Sequence, residues 1–280
     1  MNALLILLIL LIVLMLIVAK KDGLRNLIGL TFNFIAIFVL ITLISWGFNA
    51  IAVLIVLSVI ILAIAIFMSA DESEVTLIAF KTSIIVVLSL LILALIIQHF
   101  GQFQGFATED VDELENLSLN VGLNFSNVAI VVMVISMLGA VAESAMALAA
   151  SLLEVVEQDE NMSLDQFKNQ REIISQQILG TAVNTLFFGV LGATVGLILW
   201  FVRLNYRLAD IFNSKLLMAE VAAMLLGMLG ILFAIWLSGY FVQKSFEQKN
   251  TDRIILFSIT DKDDEIKNCC EDSHTNWISK

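Results

Sequence analysis

Seven stretches of the chain, residues 3–19, 27–46, 48–68, 75–97, 127–153, 178–200 and 216–240, are almost free of charge. An α-helix rises about 1.5 Å per residue and the hydrocarbon layer of a bilayer is about 30 Å thick, so roughly 17–25 apolar residues make one crossing. Each stretch reaches that length. Lipid offers the backbone no water to bond, so crossings of this kind are helices. The expectation is an all-α, polytopic membrane helix bundle of about seven transmembrane helices over residues 1–242, with a charged, loosely ordered tail over 243–280.

Composition agrees. Sixty percent of the 280 residues are hydrophobic and 15% are charged, against about a quarter charged in soluble domains. The absence of proline fits long unbroken helices. The net charge of −11 comes from acids gathered in two loops and the tail, which reads as solubilisation of segments outside the bilayer. No basic, aromatic-interleaved stretch points to nucleic acid.

The connections carry their own signals. The first span has no basic segment before it and no small-x-small cleavage site, and Lys20-Lys21 follow it directly, so it is expected as an uncleaved helix. A very short link between the second and third spans implies an antiparallel hairpin. The stretch from Gln98 to Ser126 holds five acids and no Lys or Arg, with a short amphipathic helix expected around Val111 to Leu117. Ser163 is placed to cap a short helix, LDQFKNQRE. Lys and Arg number twelve on one set of alternate connections and three on the other, which puts the N-terminus outside and the C-terminus inside. The adjacent Cys269 and Cys270, with only His274 near them, read as free thiols rather than a bridge or a metal site.

Three polar residues stand where they are costly. A carboxylate at the centre of a membrane helix costs about 2.5–3.5 kcal/mol on insertion scales, so it faces a partner or water. Glu143 lies sixteen residues into the fifth span with Ser136, Ala140, Ala147 and Ala150 at helical spacing around it. Two readings fit: a protonatable or ion-coordinating group inside the bundle, or an interfacial group on an amphipathic extension. Glu220 heads a stripe with Ala223, Gly227, Gly230 and Ala234, which lets another backbone approach closely. It is either part of a polar path or the ion-pair partner of Arg203, Arg207 or Lys215. Asn184 stands two turns inside the sixth span, where Gly180, Gly189, Gly192 and Gly196 line a helix-packing surface. It is either interhelical glue or a neighbour of Glu143, and a Glu143–Asn184 contact is expected.

The nucleotide, hydrolase and metalloprotease motifs, G-x-x-x-x-G-K-[ST], G-x-S-x-G and H-E-x-x-H, do not occur. No catalytic residue, metal site or cofactor is expected, and an enzyme is not expected.

The runs LGAVAESAMALAASLLEV, ILGTAVNTLFFGVLGATVGLIL and MAEVAAMLLGMLGILFAIWLSGY resemble the YibE/F family of bacterial multipass membrane proteins. That family's pattern is a glycine-alanine run leading to an Asp among small residues, then Gly-Thr-x-x-Asn-Thr-Leu, then a Glu opening a glycine-rich last helix. Glu143 matches the acid, Gly180, Thr181, Asn184, Thr185 and Leu186 match the second motif, and Glu220 matches the third. Glu replaces Asp at 143, and prolines expected in the last two helices are absent. The likeness runs from about residue 20 to 242. It implies a multipass protein of the bacterial cytoplasmic membrane, similar to the shorter of two paired family proteins, with a companion YibE/F-type subunit or a homo-oligomer as partner besides the lipid bilayer. It supplies architecture and location rather than chemistry. Two functional readings follow: a transporter or permease with intramembrane carboxylates, Glu143, Asn184 and Glu220 marking its path, or a non-transporting subunit that assembles with the companion.

Overall fold

The computed structural model describes residues 2–70, 73–101, 125–159 and 162–275. Every regular element among them is helical: α1 (Asn2–Ser45), α2 (Ala50–Phe67), α3 (Ser73–Gly101), α4 (Phe125–Gln158), α5 (Leu164–Arg203), α6 (Leu208–Asn213) and α7 (Lys215–Thr275). Six of these helices are long and apolar enough to cross a membrane, and the first is long enough to do so twice. The protein is an all-α, multipass membrane bundle.

The first two expected spans are joined in α1, whose 44 residues would extend about 66 Å if straight. They are not straight. Lys20 leaves helical geometry (φ 48°, ψ −117°), a region rare for a residue with a side chain. The bend brings Gly23 against the Met15 carbonyl, although eight residues of straight helix would separate the two by about 12 Å. Only glycine fits there, because a Cβ would run into that carbonyl oxygen. The expected connection over residues 20–26 is thus one non-helical residue followed by a close approach.

The second half of α1 and α2 form the expected antiparallel pair. Gly47 turns the chain with φ +87°, which glycine adopts at no steric cost. Asn49 then caps α2, its side chain accepting from the amides of Ile51 (3.1 Å) and Ala52 (3.3 Å). At the far end of the pair the Arg25 guanidinium donates to the Met68 carbonyl at 2.9 Å.

Helix α4 is the centre of the bundle and packs on α2, α3, α5 and α7. Of its most apolar eighteen residues, 61% are buried, against 11% for α5. Ile130, Val134, Met137, Val141, Leu148 and Leu152 face inward at steps of three, four and seven. Small residues let its neighbours close in, and Ser238 of α7 donates to the Ala145 carbonyl at 3.0 Å between the two helices.

Three expectations about the connections change. Ser163 does cap a helix, with a reciprocal Gln166 box, but that helix runs unbroken into the sixth span as α5 instead of ending after a few turns. The backbone expected to be loose after residue 243 continues as α7 to Thr275. Val242 and Phe246 are buried, and the Phe246 ring stacks on Phe167 with centroids 4.9 Å apart. The packed bundle therefore extends past residue 242. The basic connection before α7 contains the short helix α6. The amphipathic helix expected around Val111 lies outside the described residues.

Candidate functional site

One face of α4 is left uncovered. Val132, Ser136, Gly139, Glu143 and Ala150 are exposed and recur at steps of four, three, four and seven, so they form a single stripe. Opposite them α5 presents Thr181, Thr185 and Gly189, also exposed and four residues apart. Between the stripes is an open cleft of about 490 Å³ with Glu143 on one wall and Thr181 and Thr185 on the other.

The depth of this cleft follows from glycine contacts. A Cβ on Gly230 would stand 2.8 Å from Leu90 and 2.9 Å from Val141, so α3, α4 and α7 meet at one level there. Leu90 is about 26 Å from one end of α3 and about 17 Å from the other at 1.5 Å per residue. Glu143 is two residues beyond Val141, about 3 Å along the axis. It therefore lies within the stretch that α3 and α7 also cover, not on an extension past them.

The hydroxyls around the cleft share a chemical bias. Ser136 donates to the Met133 carbonyl at 2.9 Å, Thr181 to Gln177 and Ile178 at 3.1 and 3.0 Å, and Thr185 to Thr181 at 2.9 Å. Each proton is turned back onto its own helix, leaving oxygen lone pairs for the cleft. Ser144 also lines the cleft; it is 1% exposed and its Oγ has no hydrogen-bond partner. The polar groups of the lining are one carboxylate and four hydroxyls among otherwise apolar residues, with no Lys or Arg along it. Such a surface accepts hydrogen bonds or coordinates a cation and repels an anion. A single carboxylate suits a proton or a monovalent cation better than a divalent ion, which takes more charged oxygens.

The three polar residues singled out in the sequence are not brought together. Asn184 is exposed on α5 and does not line the cleft, so the expected Glu143–Asn184 contact does not form. A helix turns about 100° per residue, and Thr181 and Thr185, three before and one after Asn184, take the facing position instead. Glu220 is half-buried near the start of α7, far along the bundle from Glu143. It has no Arg or Lys within ion-pair distance, so the pairing with Arg203, Arg207 or Lys215 is not made among the described residues.

The glycines divide into two kinds. Gly227 and Gly230 are buried at close approaches, the first 2.8 Å from Leu186 and 3.6 Å from Met137 measured from where a Cβ would stand. Gly180, Gly189, Gly192 and Gly196 have nothing within 4 Å of that point, so they pack no described helix of this chain. Ser144 and the Phe167–Phe246 stack were not singled out from sequence. Phe167, Ile174 and Ile178 do recur at helical spacing on α5, as do Val242 and Phe246 on α7, and that periodicity is the signal that was available.

No curated protein and no solved structure matches the chain. The glycine-rich helices and their acids lie inside residues 7–248, which match the family model described as YibE/F-like protein, and the chain belongs to that family.

Proposed function

We propose that this protein is a permease-like membrane component in which Glu143 exchanges a proton or a monovalent cation between the α4–α5 cleft and water. The observation that carries the reading is a carboxylate at mid-depth facing hydroxyl oxygens whose protons are already committed to carbonyls. A carboxylate there is expensive unless it is used. In this reading the protein is not an enzyme, works in the bacterial cytoplasmic membrane with its N-terminus outside, and carries no bound cofactor.

The test uses purified protein in liposomes loaded with a pH-sensitive dye. Under an imposed sodium or potassium gradient, the wild-type protein moves protons and Glu143→Gln does so at least about tenfold more slowly, with unchanged thermal stability; tenfold corresponds to about 1.4 kcal/mol on the barrier. Equal rates in the two proteins, or no flux above empty liposomes in either, overturn the proposal.

A second reading rests on α5. Its transmembrane half is barely covered, and Asn184 and four glycines lie open on it. A polar amide does not face lipid without cost, so a non-transporting subunit that lays this face against a companion YibE/F-type protein or a second copy is supported by that exposure. A protein that stays monomeric in mild detergent and in a native membrane extract would remove this reading.

A further inference from the structure

A second cleft, of about 410 Å³, lies between the first turns of α5 and residues 232–236 of α7. Its upper wall is polar and basic, with Lys168, Arg171 and Gln176, and its lower wall is apolar, with Leu179, Leu232 and Trp236. The change of character coincides with the ends of the apolar sequence. On α5 the polar run LDQFKNQREIISQQ gives way at Ile178, and on α7 the apolar run ends at Val242. Arg171 is level with that second boundary, because its Nη1 donates to the Gln243 Oε1 at 2.7 Å. The cleft therefore straddles the edge of the hydrocarbon layer, with cations above and an exposed Trp236 below. Tryptophan prefers that depth.

Neither cation is ion-paired among the described residues: no carboxylate there lies within ion-pair distance of Lys168 or Arg171. Glu172 is on the same wall, but its carboxylate accepts from the Gln176 amide at 3.4 Å. Glu247 is reached only through Gln243, whose Nε2 donates to it at 2.9 Å. Arg171 is held in place by a missing side chain: a Cβ on Gly239 would stand 2.6 Å from its Nε. The guanidinium thus lies against the backbone of α7 at the mouth of the cleft. It carries five N–H donors, more than the Gln243 oxygen can take.

We propose that this cleft is a binding site for an anionic phospholipid, the headgroup phosphate meeting Lys168 and Arg171 and an acyl chain lying along Leu179, Leu232 and Trp236. Charge complementarity selects the headgroup, and the apolar lower wall requires that it come attached to a chain. A free phosphate would leave that wall wet. The site is separate from the Glu143 cleft and does not depend on it.

The test places the protein in nanodiscs of phosphatidylcholine doped with brominated-chain lipids. Trp236 is made the sole tryptophan by Trp46→Phe, Trp200→Phe and Trp277→Phe. Brominated phosphatidylglycerol is expected to quench Trp236 at a lower mole fraction than brominated phosphatidylcholine. Basic residues near a membrane surface contribute about 1 kcal/mol each, or about fivefold in affinity, so Lys168→Gln and Arg171→Gln should each reduce the preference about fivefold. Lys168→Arg should keep it, and Trp236 emission in pure phosphatidylcholine should be unchanged by all three, which reports an intact fold. Equal quenching by the two lipids overturns the proposal, as does a preference that survives the double glutamine variant. Competition by soluble inorganic phosphate, or quenching that weakens as the protein-to-lipid ratio rises because a second copy fills the cleft, overturns it as well.

Discussion

At the scale of single residues, identity matters less than the face on which each side chain stands. Gly230 and Gly189 look alike in sequence, each one of several glycines on an apolar helix. The first is seated between Leu90 and Val141 and the second has no neighbour. Gly230→Leu is therefore expected to destabilise the purified protein by about 1–3 kcal/mol, the usual cost of overpacking a filled site. Gly189→Leu is expected to leave the melting temperature of the monomer unchanged in the same assay. The Glu143–Asn184 pairing failed for a similar reason. Depth along two helices can be counted from their ends, but rotation about each axis cannot, and a difference of about 100° puts Thr181 and Thr185 where the amide was expected. That Glu143 would need an uncommon environment was legible from its position alone; the hydroxyls that turn their protons away from it were not.

At the scale of elements, the spans themselves were legible because hydrocarbon thickness imposes a length on them. What joins them was less so. The stretch after Ser163 is polar enough to read as a linker with its own short helix, yet Phe167, Ile174 and Ile178 share a face and fuse it to the following span. The tail was read from its charge, and charge does not reveal that Phe246 falls one turn after Val242, on the side that meets α5. Phe246→Ala should accordingly cost about 3 kcal/mol, as for a packed aromatic ring, measured by thermal unfolding in detergent. A chain ending at Tyr240, without Val242 and Phe246, should unfold well below the wild-type temperature.

At the scale of the whole molecule, burial is uneven: α4 is covered on every face but one and α5 is attached along one side only. If that open side meets another copy or a companion, Asn184→Cys should give an intermolecular crosslink in native membranes, while Leu148→Cys, at a buried position, should not. Loss of that crosslink on Gly192→Leu, an open glycine outside the Glu143 cleft, with monomer stability unaltered, would assign the open glycines to an intermolecular contact. The bend at Lys20 bears on a different question, one of parity. An element that crosses twice adds an even number of traverses where a single crossing would add an odd number, so the two torsions of one residue determine whether the two ends of the polypeptide emerge into the same compartment or into different ones.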